Sequence, residues 1–115
     1  MNSNELLTYF LPEGILEYFT ITDVKESNDR LTFVLEEKPL PIAEQSQKRL
    51  HSKGFYPSVQ IQDFPIREKA CYLEVKRRRW INVDTKELYS RDWDIVAKGT
   101  RMTSDLALFL NKLVR

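Results

Sequence analysis

The densest chemical signal in the chain is the run Lys76-Arg77-Arg78-Arg79-Trp80. Side chains alternate between the two faces of a strand. Arg77 and Arg79 should therefore share one face and Lys76 and Arg78 the other, with Trp80 beside them. A soluble core does not accept unpartnered arginines behind Val75, so a bulge or an end to the sheet is expected close to this point. Either outcome projects guanidinium groups from a rigid hairpin. The guanidinium is a planar fork of donors that matches phosphate oxygens, and an indole can stack on a base or sugar. Arg91, Lys98 and Arg101 follow shortly after and would widen a DNA footprint. The competing account is a solubilising edge, because charged edge strands block aggregation. In that account Glu74, Asp92 and Asp94 simply neutralise the cluster.

Other chemistries find less to work with. The chain holds one cysteine and one histidine, Cys71 and His51. That excludes an internal disulfide and any zinc site built on several cysteines. Cys71 sits in the alternating stretch Cys71, Leu73, Val75 and is expected to be a small buried hydrophobe. His51 lies in a polar stretch and is expected to be solvated. With 3 glycines in the chain, no Gly-rich phosphate loop appears. The carboxylates occur in exposed-looking runs such as Glu36-Glu37. No catalytic residue, cofactor or metal is expected, and the chain should not be an enzyme by itself.

The elements that must position the basic run can be read from periodicity. Leu6, Leu7 and Phe10 suit a short helix over residues 4–10, and Pro12 to Tyr18 suits a second, with Pro at its first position. Phe19, Ile21 and Val24, the turn Ser27-Asn28-Asp29-Arg30, and Leu31 to Leu35 predict two antiparallel strands. Residues 36–53 read as a loop with a helical turn around Ala43 to Leu50. Gly54 opens a strand that carries Val59 and Ile61 and ends at Pro65. A long central strand then runs from Cys71 to Val83, and Asp84-Thr85-Lys86-Glu87 turns it back through Leu88, Tyr89 and Trp93. Leu106, Phe109, Leu110, Leu113 and Val114 recur at helical spacing behind Thr103 or Ser104 as cap. The expected fold is α+β: a small antiparallel sheet of β-hairpins with short N-terminal helices and a C-terminal amphipathic helix.

Charge is unevenly spread. Residues 1–44 carry a net −6 and residues 45–115 a net +7, within a total of +1. A neutral total with a basic half points to a local anion-binding surface. The 115 residues suit a single domain with an acidic helix-hairpin part over 1–44 and a basic hairpin-plus-helix part over 45–115. No apolar run approaches the roughly 20 residues that span a bilayer, and no signal-peptide pattern opens the chain. A cytoplasmic location with no membrane association is expected.

Taken together, several segments resemble a known family. They are Phe10 to Phe19, Ser52-Lys53-Gly54-Phe55-Tyr56-Pro57, Ile61 to Ile66, Lys76 to Trp80, Ser90-Arg91-Asp92-Trp93, and Ala97 to Thr103. This combination is similar to the N-terminal region proteins of the ISAon group of bacterial insertion-sequence transposases. The resemblance covers nearly the whole chain. It implies a DNA-binding part that recognises the terminal repeats of a mobile element, and a catalytic transposase chain from a second reading frame as partner. More distantly the chain resembles the zinc-ribbon head of related transposases. There an Arg-Arg pair precedes a Cys-x-x-Cys knuckle. Here Trp80 is followed by Ile81, Asn82 and Val83, so the resemblance implies no zinc. DNA contacts are expected at Lys76, Arg77, Arg78, Arg79, Trp80, Arg91, Lys98 and Arg101. The alternative is a protein-interaction module that docks on the catalytic chain or on a second copy in a homodimer, without DNA affinity. A third possibility is a remnant of a decayed element.

Overall fold

The structure, a computed structural model, describes Leu6 and residues 9–12, 14–91 and 103–113. Two hairpins build the larger sheet. In the first, β1 (Phe19–Glu26) and β2 (Arg30–Glu37) pair antiparallel around Ser27, whose N–H donates to the Arg30 carbonyl. In the second, β4 (Val59–Ile66) and β5 (Lys69–Lys76) pair across Arg67 and Glu68. Both of those residues hold positive φ, 51° and 67°. That is the twist a two-residue hairpin turn needs, made here without the usual Asn-Gly. The hairpins join through a parallel pairing of β2 with β5, giving the order β1-β2-β5-β4. The first hairpin is as the periodicity predicts. The second corrects it, since the strand expected from Gly54 starts at Val59 and turns back at Arg67-Glu68 onto β5. The parallel seam between the hairpins is not visible in local pattern. It ties the acidic stretch to the basic one within a single sheet.

The register explains the core. Leu31, Phe33 and Leu35 stand opposite Cys71, Leu73 and Val75. Ile61 stands opposite Leu73. These residues line one face, and Leu11, Ile15 and Phe19 pack over it. Ile15 belongs to α1 (Ile15–Tyr18), shorter than the expected helix from Pro12 because Gly14, at φ 79°, starts it. Leu35, Cys71 and Leu73 are fully buried, which stabilises by about 1.5–3 kcal/mol per large apolar side chain. Burial also pushes the Cys71 thiol up to about 11, with the Asp63 charge adding to it. Of the expected helix over 4–10, residues 4, 5, 7 and 8 lie outside the described residues, and Tyr9 and Phe10 form a turn in which the Tyr9 N–H donates to the Leu6 carbonyl.

A second sheet has the order β3-β6-β7, from β3 (Leu50–Phe55), β6 (Arg78–Asn82) and β7 (Leu88–Tyr89). Its core is Leu40, Leu50 and Trp80, with Tyr89 packed against them. β3 corrects the loop expected through residue 53. His51, Ser52, Lys53 and Gly54 are exposed and carry no apolar alternation, so pairing with β6 makes this strand rather than its own pattern. The helical turn ahead of it is α2 (Ile42–Gln47). Arg49 follows the C-cap of α2 with φ 53°, where glycine is usual. A left-handed L-residue costs roughly 1–2 kcal/mol. The exposed Arg49–Asp84 ion pair returns about 0–1 kcal/mol of that.

The C-terminal helix α3 (Ser104–Leu113) is docked at its start. The Thr103 hydroxyl accepts from the Leu106 N–H and donates to Asp63, and the Thr103 N–H donates to the Gln62 carbonyl. Thr103 is thus the cap, and Leu106 is buried beneath it. Among the described residues no helix is long and apolar enough to cross a membrane.

Asp63 makes this junction pH-sensitive. Burial raises its pKa, Asp105 adds to the rise, and hydrogen bonds from Thr103 and the Phe64 N–H oppose it. The folded state therefore holds the Asp63 proton more tightly than the unfolded state. Its stabilising effect is present below the ordinary aspartate range and is lost as pH rises through the raised folded value. Asp63→Asn keeps an oxygen for the Thr103 hydroxyl and removes the buried charge. The variant should match or exceed the native protein in urea midpoint at neutral pH, and that advantage should vanish as pH falls through the window. A difference independent of pH would show that the Asp63 charge does not govern this junction.

Candidate nucleic-acid interface

The basic run lies where the chain passes from one sheet to the other. Lys76 ends β5, Arg77 lies between the strands, and Arg78 begins β6. The expected single strand from Cys71 to Val83 is thus two, divided at Arg77, close to where the unpartnered arginines required a bulge or an end. Opposite this break, β3 carries an irregularity between Ser52 and Phe55 that contains Gly54 at φ 83°. The bulge delivers Phe55 opposite Arg78, and the Tyr56 N–H donates to the Arg77 carbonyl at 2.9 Å.

Arg77 and Arg79 flank one ring. Their guanidinium carbons lie 5.6 Å and 5.5 Å from the Tyr56 centroid, within cation–π range. Their common face is the one alternation predicts. Arg77 also donates from Nη2 to the Ser90 hydroxyl at 3.2 Å and the Arg91 carbonyl at 3.1 Å. Its Nε is buried with no partner among the described residues. Arg79 donates to the Lys53 carbonyl through Nε and Nη2, at 3.4 and 3.3 Å. Arg78 turns the other way. Its Nε donates to the Glu37 carbonyl at 2.7 Å, and its guanidinium lies 4.7 Å from the Phe55 centroid. The Glu37 carboxylate, itself buried, accepts the Arg78 backbone N–H at 2.9 Å.

Among the described residues, then, no carboxylate pairs with the guanidinium of Arg77, Arg78 or Arg79. Glu74 is engaged by Lys25 instead. Carbonyls and aromatic rings hold the three groups half-buried without cancelling their charge, and each keeps donors to spare out of five. Such an arrangement can receive phosphate oxygens with little loss of side-chain entropy.

Trp80 has a different place from the one expected. It is 2% exposed and packed with Leu40 and Leu50, so it cannot stack on a base. The cause is alternation: Trp80 lies on the face of β6 opposite to Arg79, and the large apolar side chain takes the inner face. The rings that lie against the arginines are instead Phe55 and Tyr56. Sequence reasoning missed them as site residues because the pattern held no sign that β3 runs beside β6. Lys76 belongs to the larger sheet, opposite Glu36, and is not brought together with Arg77 and Arg79. Arg91 pairs with Glu44 at 2.6 Å and lies 6.0 Å from the Tyr18 ring, so the acidic stretch offsets its charge. Lys48 first, then Arg91, lowers the Glu44 pKa against the opposing effect of burial. Lys98 and Arg101 lie outside the described residues. Comparison with known proteins finds no matching family model, no similar curated protein and no similar solved structure.

Proposed function

We propose that this chain binds DNA through the Arg77–Arg78–Arg79 junction and serves as the DNA-recognition part of a bacterial insertion-sequence transposase. In this reading it contacts the element's terminal repeats in the cytoplasm. A separate catalytic chain supplies the metal-dependent chemistry, and this chain performs none. The observation that carries the reading is that the guanidinium groups of three consecutive residues, Arg77 and Arg79 on one face and Arg78 on the other, are fixed by carbonyls and rings, with none paired to a carboxylate among the described residues. The family resemblance supports it from the sequence side. Two segments that carry the resemblance, 52–57 and 76–80, meet at this junction, where Ser52 pairs with Trp80 and Phe55 with Arg78.

Fluorescence anisotropy with a terminal-repeat duplex, titrated across salt, tests it. Each phosphate neutralised contributes about 0.9 to the slope of log affinity against log salt. The double variant Arg77→Ala/Arg79→Ala spares the Arg78–Glu37 contacts, so it should fold. It should bind about tenfold or more weakly at physiological salt, with a slope shallower by about 1.8. Unchanged affinity and slope in a folded double variant would remove the junction as the site.

A second reading, a protein-interaction module, is favoured by one observation. On α3, Leu108 and Leu110 are 56% and 37% exposed. Two leucines exposed on different sides of this helix could help seat the catalytic chain or a second copy. Co-purification with the catalytic chain in the absence of DNA affinity would favour that reading over the first.

A further inference from the structure

At the end of the β3–β6 ribbon away from the arginine junction lies a cleft of about 400 Å³. Its walls include Ile42 and Val83, its polar lining Gln45, Ser46, Arg49 and His51. The volume is at the lower end of the roughly 300–1,000 Å³ typical of small-ligand sites. It is large enough for one planar group with a charged substituent. Ile42 stands 80% exposed at the lip.

The position of the cleft selects its ligand. His51 pairs across to Ile81, and Ile81 is two residues along β6 from Arg79. Cross-strand partners share a face, as do residues two apart, so His51 and Arg79 are on the same outer face. Two residues of strand span about 7 Å. That is roughly the rise of two stacked nucleotides in one strand. A phosphate held by Arg79 would therefore bring the next nucleotide or two to the cleft mouth. Apolar walls accept the faces of a base, the Ser46 hydroxyl and the Gln45 side-chain oxygen suit its edges while the Gln45 amide is held by the Leu40 carbonyl, and Arg49 would exchange its exposed Asp84 partner for a phosphate.

We infer that this cleft is a subsite for one unstacked nucleotide, so that the nucleic acid on the arginine face is single-stranded where it reaches α2. The inference rests on the DNA-binding reading above and names the form of DNA involved. A base inside a duplex is stacked and cannot enter the cleft, while an unpaired one can.

Anisotropy with the full chain would compare a blunt duplex with the same duplex carrying a short single-stranded overhang. The native chain should prefer the overhang by on the order of tenfold, the effect of stacking one base on a protein surface. Ser46→Trp fills the cleft from an exposed helical position and should abolish the preference while leaving blunt-duplex affinity unchanged. Arg49→Gly should also abolish it, with a Tm equal to or above that of the native chain, since glycine suits the backbone there. Thymidine monophosphate alone should perturb the amide signals of Ser46, Arg49 and His51 in the native chain. No overhang preference, or a preference that survives both folded variants, overturns the subsite and leaves the junction reading intact if blunt duplex still binds. Absence of binding to either probe overturns both.

Discussion

Trp80→Ala should destabilise the protein by about 3–5 kcal/mol, the usual cost of truncating a buried aromatic residue to a methyl group. The size of the effect follows from how little else the second sheet has. Its buried core is Leu40, Leu50 and Trp80, with Tyr89 opposite Trp80 on β7. Removal of the indole leaves a void lined by side chains of three different segments, and β7 is too short to close over it. Against a total stability of about 5–15 kcal/mol for a domain, such a loss is a large fraction. Urea unfolding followed by circular dichroism would measure it, and Trp80→Phe should recover more than half. DNA affinity measured well below the variant's Tm separates the two roles an indole could have. A residue that stacks on a base loses binding without losing stability. Trp80 should show the reverse order: a large fall in stability, and weaker binding only as Arg78 and Arg79 lose their rigid strand. A Tm within a degree or two of the native value, with binding lost, would return Trp80 to the DNA surface.

Trp80 also marks the boundary of what the residues disclose on their own. Elements whose apolar residues alternate or recur were legible: β1 and β2, the inward set Cys71, Leu73 and Val75, and the capped start of α3 at Thr103. The α+β class follows from those. The parallel seam between β2 and β5 was not, because it joins residues about 40 positions apart and nothing local encodes it. β3 was not legible either, since four exposed residues interrupt its two apolar ends. The missing strand is why the site was only half seen. The cationic residues were identifiable by type, and the shared face of Arg77 and Arg79 by alternation. Their partners Tyr56, Phe55 and Glu37 depend on which strand lies alongside, a tertiary fact. Without β3 and β6 as neighbours, Trp80 had no visible core to enter and Tyr56 no visible arginine to support.

Glu37 is the partner whose removal should matter most. It ends β2, is buried, and joins the two sheets at the residue where β6 begins. Its carboxylate accepts the Arg78 N–H, and its carbonyl accepts the Arg78 Nε–H. Only the first of these contacts belongs to the side chain. Glu37→Ala leaves the Arg78 amide without its acceptor in a buried setting, which costs about 1–3 kcal/mol. The carbonyl contact survives the substitution, so the Arg78 side chain keeps one anchor while the strand beneath it loosens. Glu37→Gln separates geometry from charge: its amide oxygen still accepts from Arg78, and a negative charge beside the arginines disappears. The alanine variant should therefore lose stability and bind DNA more weakly, while the glutamine variant should lose less stability and bind at least as tightly as the native chain. If instead both variants bound more tightly by the same factor, with equal stability, Glu37 would act only as a nearby charge. The junction would then owe its shape to the Tyr56 and Lys53 contacts alone.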